Sequence, residues 1–598
     1  MKRRDAGARL RPWMFAVVLC GSVGCTEPLT RPQAADETER DRYEVQTLGE
    51  ITQVGNALPT PLSGIGLVVG LEGTGGETAP EYRTMLENEL RKLGVNNARE
   101  QINRPDSTVV FVSGYLPTGA SKGDKIDVDV TLTPRTRATS LRGGYLMECV
   151  LYNYDFTKNL NPNYDGPQAP LRGHPVAKAE GPVLVGFGEG DEPLRVKRGR
   201  VWGGGRLNID WPLALVLNPD SQTPTWANRV AERVNDVFDG GLRGANGTSV
   251  AKARDPVSIP LRVPAQYRLN QPHYLRVVRA ITMYECADRP DDRPDSRSYR
   301  KRLADDLLDP ARTITSAIRL EALGTSSITA LKPGLTSPHL LVRFAAAQSL
   351  AYLNSPCCAD ELARIIQNEP LLRAFALTAL ASLDESAAES RLQDLLTTST
   401  DAQTRYGAFR ALRARNEHNV LVEGDLLNES FWLHRIAPQT APLVHLSTNR
   451  RAEIVLFGEE PELQPPFSFL AGDFTITAAA EDQRCTVSRY PVHGEPMKRQ
   501  CKSLRIAEVL HAMAGMGGTY PDVVELLFQA DKCKCLSCPL KVDALPVAIS
   551  VYDLDKAGKG QMDLNNAGRD RITPTTLFND TGLHKEPTPI ATEPGAGQ

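Results

Sequence analysis

The chain has 598 residues, which at about 150 residues per domain implies roughly four units and room for several buried cores. With 69 Lys and Arg against 72 Asp and Glu the net charge is −3, so nothing global draws it to nucleic acid or acidic lipid. At 41% apolar and 24% charged residues it is neither fibrous nor wholly disordered.

Residues 1–25 read as an export signal: basic Lys2, Arg3, Arg4, Arg9 and Arg11, then the apolar run Trp13–Leu19, then small Gly21, Ser22 and Gly24 before Cys25. The run is too short to span a membrane as a helix. Small residues ahead of a cysteine resemble a bacterial lipobox, which would make Cys25 the lipidated mature N-terminus and predicts an outer-membrane anchor. Ser22 stands where such motifs prefer Leu, and ordinary cleavage is the alternative. Residues 26–44 are polar and punctuated by proline, a tether.

Residues 45–288 read as mixed α/β. Val109–Val112 is a short apolar run, and Ile126, Val128, Val130 and Leu132 alternate with polar neighbours, as in a half-buried strand. Tyr82, Met85, Leu86, Leu90 and Leu93 keep helical spacing, with Gly94 placed to stop the helix. Trp226, Val230, Val234 and Phe238 predict a second helix.

Residues 300–420 become rich in Ala and Leu. VRFAAAQSL (342–350), LRAFALTAL (372–380) and TRYGAFRAL (404–412) align, so that Arg343, Arg373 and Arg405 recur in one helical slot. A period in the thirties within helical sequence is similar to HEAT-type repeats; a plain helical bundle is the alternative. Residues 430–540 return to strand patterns and then two short helices, through Ile506–Met513 and Val523–Ala530, separated by Gly515, Gly517 and Gly518. The region 555–598, rich in Gly, Pro, Thr and Asn, reads as a disordered tail. The predicted fold class is therefore α+β: a strand-rich multidomain body with an inserted all-α repeat segment.

Cofactor chemistry finds no purchase. Gly114–Gly119 lacks the lysine of a phosphate loop, Gly64–Gly70 reads as strand rather than a loop before a helix, and Asp553, Asp555 and Gly558 lack a calcium loop's remaining oxygens. No catalytic residues, cofactor site or metal site are assigned. Once Cys20 is removed with the signal and Cys25 carries lipid, nine of the 11 cysteines are left. Cys485, Cys501, Cys533, Cys535 and Cys538 form the candidate disulfide cluster, with a thiolate zinc site as the lesser alternative.

LSGIGLVVGLEGTGG (62–76) strongly resembles the opening motif of the flagellar basal-body P-ring protein family. The likeness continues in order through MLENELRKLGV (85–95), VVFVSGYLPTGASKGDKIDVDV (109–130), SLRGGYLMECVL (140–151), GPVLVGFG (181–188), GGGRL (203–207) and SIPLRVP (258–264), and again at 503–530. The resemblance implies an exported, non-enzymatic subunit that assembles as a homo-oligomeric ring in the periplasm, around the flagellar rod and beside peptidoglycan and the L-ring. Gly64, Gly66, Gly70, Gly73, Gly75 and Gly76 would permit tight turns, and Arg142, with Gly143 and Gly144, would sit at a turn facing a neighbouring subunit. The lipid anchor, the repeats and the long tail depart from the family pattern. The competing reading is an envelope scaffold or interaction lipoprotein that keeps this fold without a flagellar role.

Overall fold

A computed structural model describes residues 45–71, 73–156, 170–185, 196–238, 249–283, 295–436, 441–448, 451–491, 495–546 and the pairs 548–549, 569–570, 577–578 and 583–584. Cys25, residues 26–44 and the calcium-loop candidates lie outside them.

After β1 (Thr52–Gly55) comes β2 (Thr60–Val69), and then helices α1 (Pro80–Lys92) and α2 (Ala98–Ile102). Strands β3 (Thr108–Leu116), β4 (Lys125–Leu132), β5 (Tyr145–Phe156), β6 (Pro170–Pro182), β7 (Leu184–Val185) and β8 (Arg198–Leu207) follow. The antiparallel order β4-β3-β2-β5-β6-β8 returns to β4, because β4 pairs with both β3 and β8. The sheet is thus a closed six-stranded barrel, and closure leaves its walls without free edges.

The alternation seen along β4 puts Ile126, Val128 and Val130 inside, where Val110 and Val112 of β3, Leu146 and Leu151 of β5 and Val201 of β8 meet them. Strand β2 is apolar on both faces because its outer side is also covered: Ile65 and Leu67 pack under Leu86 and Leu90 of α1. That helix starts with Pro80 at its first position and ends as predicted. Gly94 takes φ +82°, and the Val95 and Gly94 amides donate to the Leu90 and Arg91 carbonyls, a Schellman closure. Met85, expected on the apolar face, is instead exposed.

Strand β1 forms a three-stranded antiparallel sheet with β9 (Leu213–Leu217) and β10 (Ser258–Leu261). Helix α3 (Pro224–Phe238) buries Ala227, Val230, Ala231 and Val234, and α4 (Gln271–Ala280) leads into the helical segment.

That segment includes α5 (Asp295–Leu307), α6 (Thr313–Ala322), α7 (Leu340–Tyr352), α8 (Ala359–Asn368), α9 (Arg373–Ser382), α10 (Ser386–Thr398) and α11 (Ala402–Arg415), with a single helical turn at Ile328–Leu331 between α6 and α7. Helices α6, α7, α9 and α11 stack in one row, and α8 and α10 pack outside them. In α9 every residue from Arg373 to Ala381 is buried, as expected of a helix walled in on all sides.

The chain then builds a five-stranded mixed sheet from β11 (Gly424–Leu427), β12 (Phe431–Ile436), β13 (Leu443–Leu446) and β14 (Glu453–Phe457), completed later by β19 (Leu540–Val542). A four-stranded meander follows: β15 (Phe467–Ala471), β16 (Phe474–Ala478), β17 (Thr486–Arg489) and β18 (Met497–Gln500). Helices α12 (Ile506–Gly515) and α13 (Tyr520–Lys532) share one apolar core with both sheets.

The tail departs from its sequence reading at the residues described. Leu577 and Phe578 are buried, the Arg410 guanidinium donates to the Leu577 carbonyl, and Leu583–His584 pairs with Ile126 and Lys125 of β4. Two large apolar residues supply a reason for this stretch to pack.

Candidate assembly site

The glycine segment divides into two physical classes. Gly64 and Gly66 lie inside β2, where a Cβ would come within 2.3 Å of the Val150 carbonyl oxygen and 2.9 Å of Leu146 Cδ1, respectively. They let β5 approach β2 and keep the narrow barrel fillable. Gly70 and Gly73 take φ +77° and +74°, in the left-handed region that suits glycine. Gly75 and Gly76 are walled by backbone of residues 105–107 and 137–138.

These close approaches bind three loops into one platform at an end of the barrel. The Leu71 amide donates to the Asp106 carbonyl, Arg137 to Glu77 and Thr139 to Thr74. The hydroxyls of Thr78, Thr108 and Thr136 meet within 3.2–3.5 Å. The Leu141–Gly144 turn joins the platform: Gly143 has φ +73°, and a Cβ on Gly144 would stand 2.4 Å from Val68 Cγ1.

The turn presents Arg142, but toward this chain's own C-terminal region. Its guanidinium lies 3.0 Å from Asp522 and 3.5 Å from Glu525, both on α13. Asp522 also accepts from the Thr519 amide and hydroxyl in a capping box, so one carboxylate caps α13 and holds the barrel. Arg142 stays 43% exposed at this turn, and its contact with Asp522 was hidden because the two lie 380 residues apart in sequence. Leu184 and Trp202 of the barrel add apolar contact to the same C-terminal core.

Two buried polar clusters fix the helical array at its two ends. At the first, the Tyr267 hydroxyl donates to Glu321 at 2.7 Å, His273 Nε2 lies 2.9 Å from the same carboxylate, and Asn270 donates to the Tyr352 hydroxyl at 2.9 Å. Tyr267 and His273 both stack on Tyr352. At the second, Glu453 of β14 receives the Tyr406 hydroxyl and lies 3.6 and 3.4 Å from Arg410 and Arg413 of α11. Burial would raise the Glu453 carboxyl, but Arg410 and Arg451 outweigh it and hold the group at about 2. Burial and Arg413 push His434 down to about 4, and burial pushes His445 down to about 3, so both rings stay neutral. Sequence reading missed Glu321 and Glu453; the only signal was an acidic residue inside an otherwise apolar run.

The repeated arginines share one task. Arg343 spans from the carbonyls of Ser337 and Pro338 to Glu361, and Arg373 from the Ile366 carbonyl to Asp401. Arg405 donates to the Ala441 carbonyl and lies over the Phe457 ring, which ties the last repeat to the sheet. A cleft of about 900 Å³ runs where the helix ends Ala322–Gly324, Tyr352–Asn354 and Ala414–Arg415 face α3. Its Arg268 and Arg415 donate to helix-terminal carbonyls, the side-chain chemistry those ends favour.

All five candidate disulfide cysteines carry free thiols. Cys485 and Cys501 are brought together in the core, while Cys533 and Cys535 lie at the end of α13 and Cys538 just before β19. No group of three or more His, Cys, Asp or Glu with metal-holding geometry occurs among the described residues. Among them, too, no helix is long and apolar enough to cross a membrane.

Residues 47–289 match the family model of the flagellar P-ring protein, and residues 314–419 that of HEAT repeats. Similar curated proteins include the flagellar P-ring protein of Thermotoga maritima, 33% identical over 234 residues that cover 37% of this chain and 61% of the relative. That of Caulobacter vibrioides is 28% identical over 256 residues, covering 41% and 62%, and that of Rhodopseudomonas palustris 28% over 234, covering 37% and 56%. The chain thus spans between half and two thirds of the length of these relatives. Over residues 47–289, barrel and glycine platform included, the chain resembles the flagellar P-ring protein family, and the HEAT-repeat match begins at residue 314.

Proposed function

We propose that this chain is a structural subunit of the bacterial flagellar basal body, assembling in the periplasm as a homo-oligomeric ring that acts as a bushing around the rod. The observation that carries this reading is the match to the flagellar P-ring protein family over residues 47–289. A closed barrel whose loops are clamped by close glycine contacts suits a part that must resist shear, since it offers no free edge to peel. Its partners are further copies of itself, rod and L-ring proteins and, beside them, peptidoglycan. Closure into a ring requires heterologous contacts between copies. The C-terminal likeness at 503–530 belongs to this proposal, with the body split in sequence around the repeats. So does the anchor: Cys25, lipidated, would hold the ring to the outer membrane, because each buried CH₂ of an acyl chain adds ~0.8 kcal/mol. No reaction is catalysed.

A second reading, an outer-membrane scaffold without a flagellum, draws on the repeat segment, which offers a surface beyond what the P-ring match covers. Electron microscopy of envelope fractions separates the two. Annular particles attached to rods support the first reading, and membrane-bound chain without rings supports the second. Cys25→Ala should release the protein from membranes; unchanged membrane association would remove the lipid anchor from the proposal.

A further inference from the structure

Cys485 and Cys501 face each other where the β17–β18 ladder ends. Register runs from Arg489 opposite Met497 to Thr486 opposite Gln500. One step further, the Cys501 amide donates to the Cys485 carbonyl at 2.9 Å. Opposed residues in such a hydrogen-bonded pair lie ~5.5 Å apart at Cα, inside the ~4.4–6.8 Å span that a disulfide bridges. Opposed side chains also project to one face of a sheet, and here that face is the core. Cys485 is wholly buried and Cys501 is 6% exposed.

The neighbouring strand shows what a bond would secure. β18 is an edge strand of its sheet, and all four of its residues, Met497–Gln500, are exposed. Among the described residues its ladder to β17 is the only strand pairing that holds it.

We propose that Cys485 and Cys501 are a redox pair that closes to a cross-strand disulfide and locks β18 onto its sheet. The oxidant is an external disulfide. The Cys501 thiol loses its proton, and the thiolate attacks one sulfur of that disulfide, forming a mixed disulfide and expelling the other sulfur as a thiolate. The Cys485 thiol then loses its proton and attacks the Cys501 sulfur, expelling the second thiolate. One S–S bond forms and one breaks; two electrons and two protons pass to the oxidant, which becomes two thiols. The facing Cys485 thiol and the Arg499 charge hold the Cys501 thiol below its ordinary value, which makes it the first attacker.

The pair can be tested on the purified folded chain whether or not rings form. Reduced protein is exposed to glutathione disulfide, denatured in iodoacetamide, digested without reductant and mapped by mass spectrometry. The expected product is one peptide pair joined through Cys485 and Cys501, two hydrogens lighter than its parts, with Cys149 and Cys358 alkylated. Amide exchange at 497–500 should slow on oxidation of the parent chain and stay unchanged in Cys485→Ser. Recovery of Cys485 and Cys501 as alkylated thiols, or joined instead to Cys533, Cys535 or Cys538, would overturn the proposal.

Discussion

Replacing Glu453 by Gln keeps the size of the side chain and a hydrogen-bonding partner for Tyr406, but removes the buried negative charge that Arg410 and Arg413 face. Loss of one partner from a buried ion pair costs about 3–5 kcal/mol, because the remaining charge stays desolvated. An independent route gives a similar figure. The Glu453 carboxyl moves from 4.5 to about 2 on folding, which corresponds to ~3 kcal/mol of stability at neutral pH. A depressed acid contributes fully above its unfolded value, so this share is lost only as pH falls from 4.5 toward 2. His434 and His445 act in the same direction but earlier. Their folded values, about 4 and about 3, lie below the ordinary 6.5, so the unfolded chain takes up protons that the folded chain refuses. Amide exchange across α11 and β14 should therefore show protection that is flat above pH 6.5 and declines below it. In Glu453→Gln the same amides should lose about 3–5 kcal/mol at pH 7. A loss under ~1 kcal/mol would refute the claim that this carboxylate joins the repeats to the sheet.

Further predictions follow from the barrel and its junction. Gly64→Ala drives a Cβ against the Val150 carbonyl, which cannot rotate away, so it should cost at least ~3 kcal/mol, whereas Gly73→Ala, in open space, should cost ~1 kcal/mol of backbone strain. Urea titrations that rank the two the other way would show that the close strand approach is not the constraint. Arg142 is partly exposed, so Arg142→Ala should change global stability by no more than ~1 kcal/mol. A double-mutant cycle with Asp522→Asn should nevertheless give a nonzero coupling, and strict additivity would deny the barrel–helix contact.

Local signals were legible from sequence and distant pairings were not. Alternation at Ile126, Val128, Val130 and Leu132 gave away β4, and Gly94 marked the end of α1, because both patterns repeat within one element. Arg343, Arg373 and Arg405 exposed the repeats, since each fills the same slot in its own helix. Barrel closure is different: it depends on Gly205 lying against Ile126, a register set by folding and not by either strand alone. Arg142 is a surface residue in sequence and structure alike, but its pairing with Asp522 could not be read from either segment alone. The burial of Phe578 was hidden by the polar composition around it. Of the cysteines, sequence supplied a cluster of five, and the β17–β18 register selected two.

The central claim is that this chain builds a periplasmic ring around a flagellar rod. Its most direct test is cryo-electron tomography of basal bodies in cells that carry or lack the gene. The account predicts that an annular density at the level of the peptidoglycan disappears with the gene and returns on complementation. Unchanged basal bodies in its absence would contradict it.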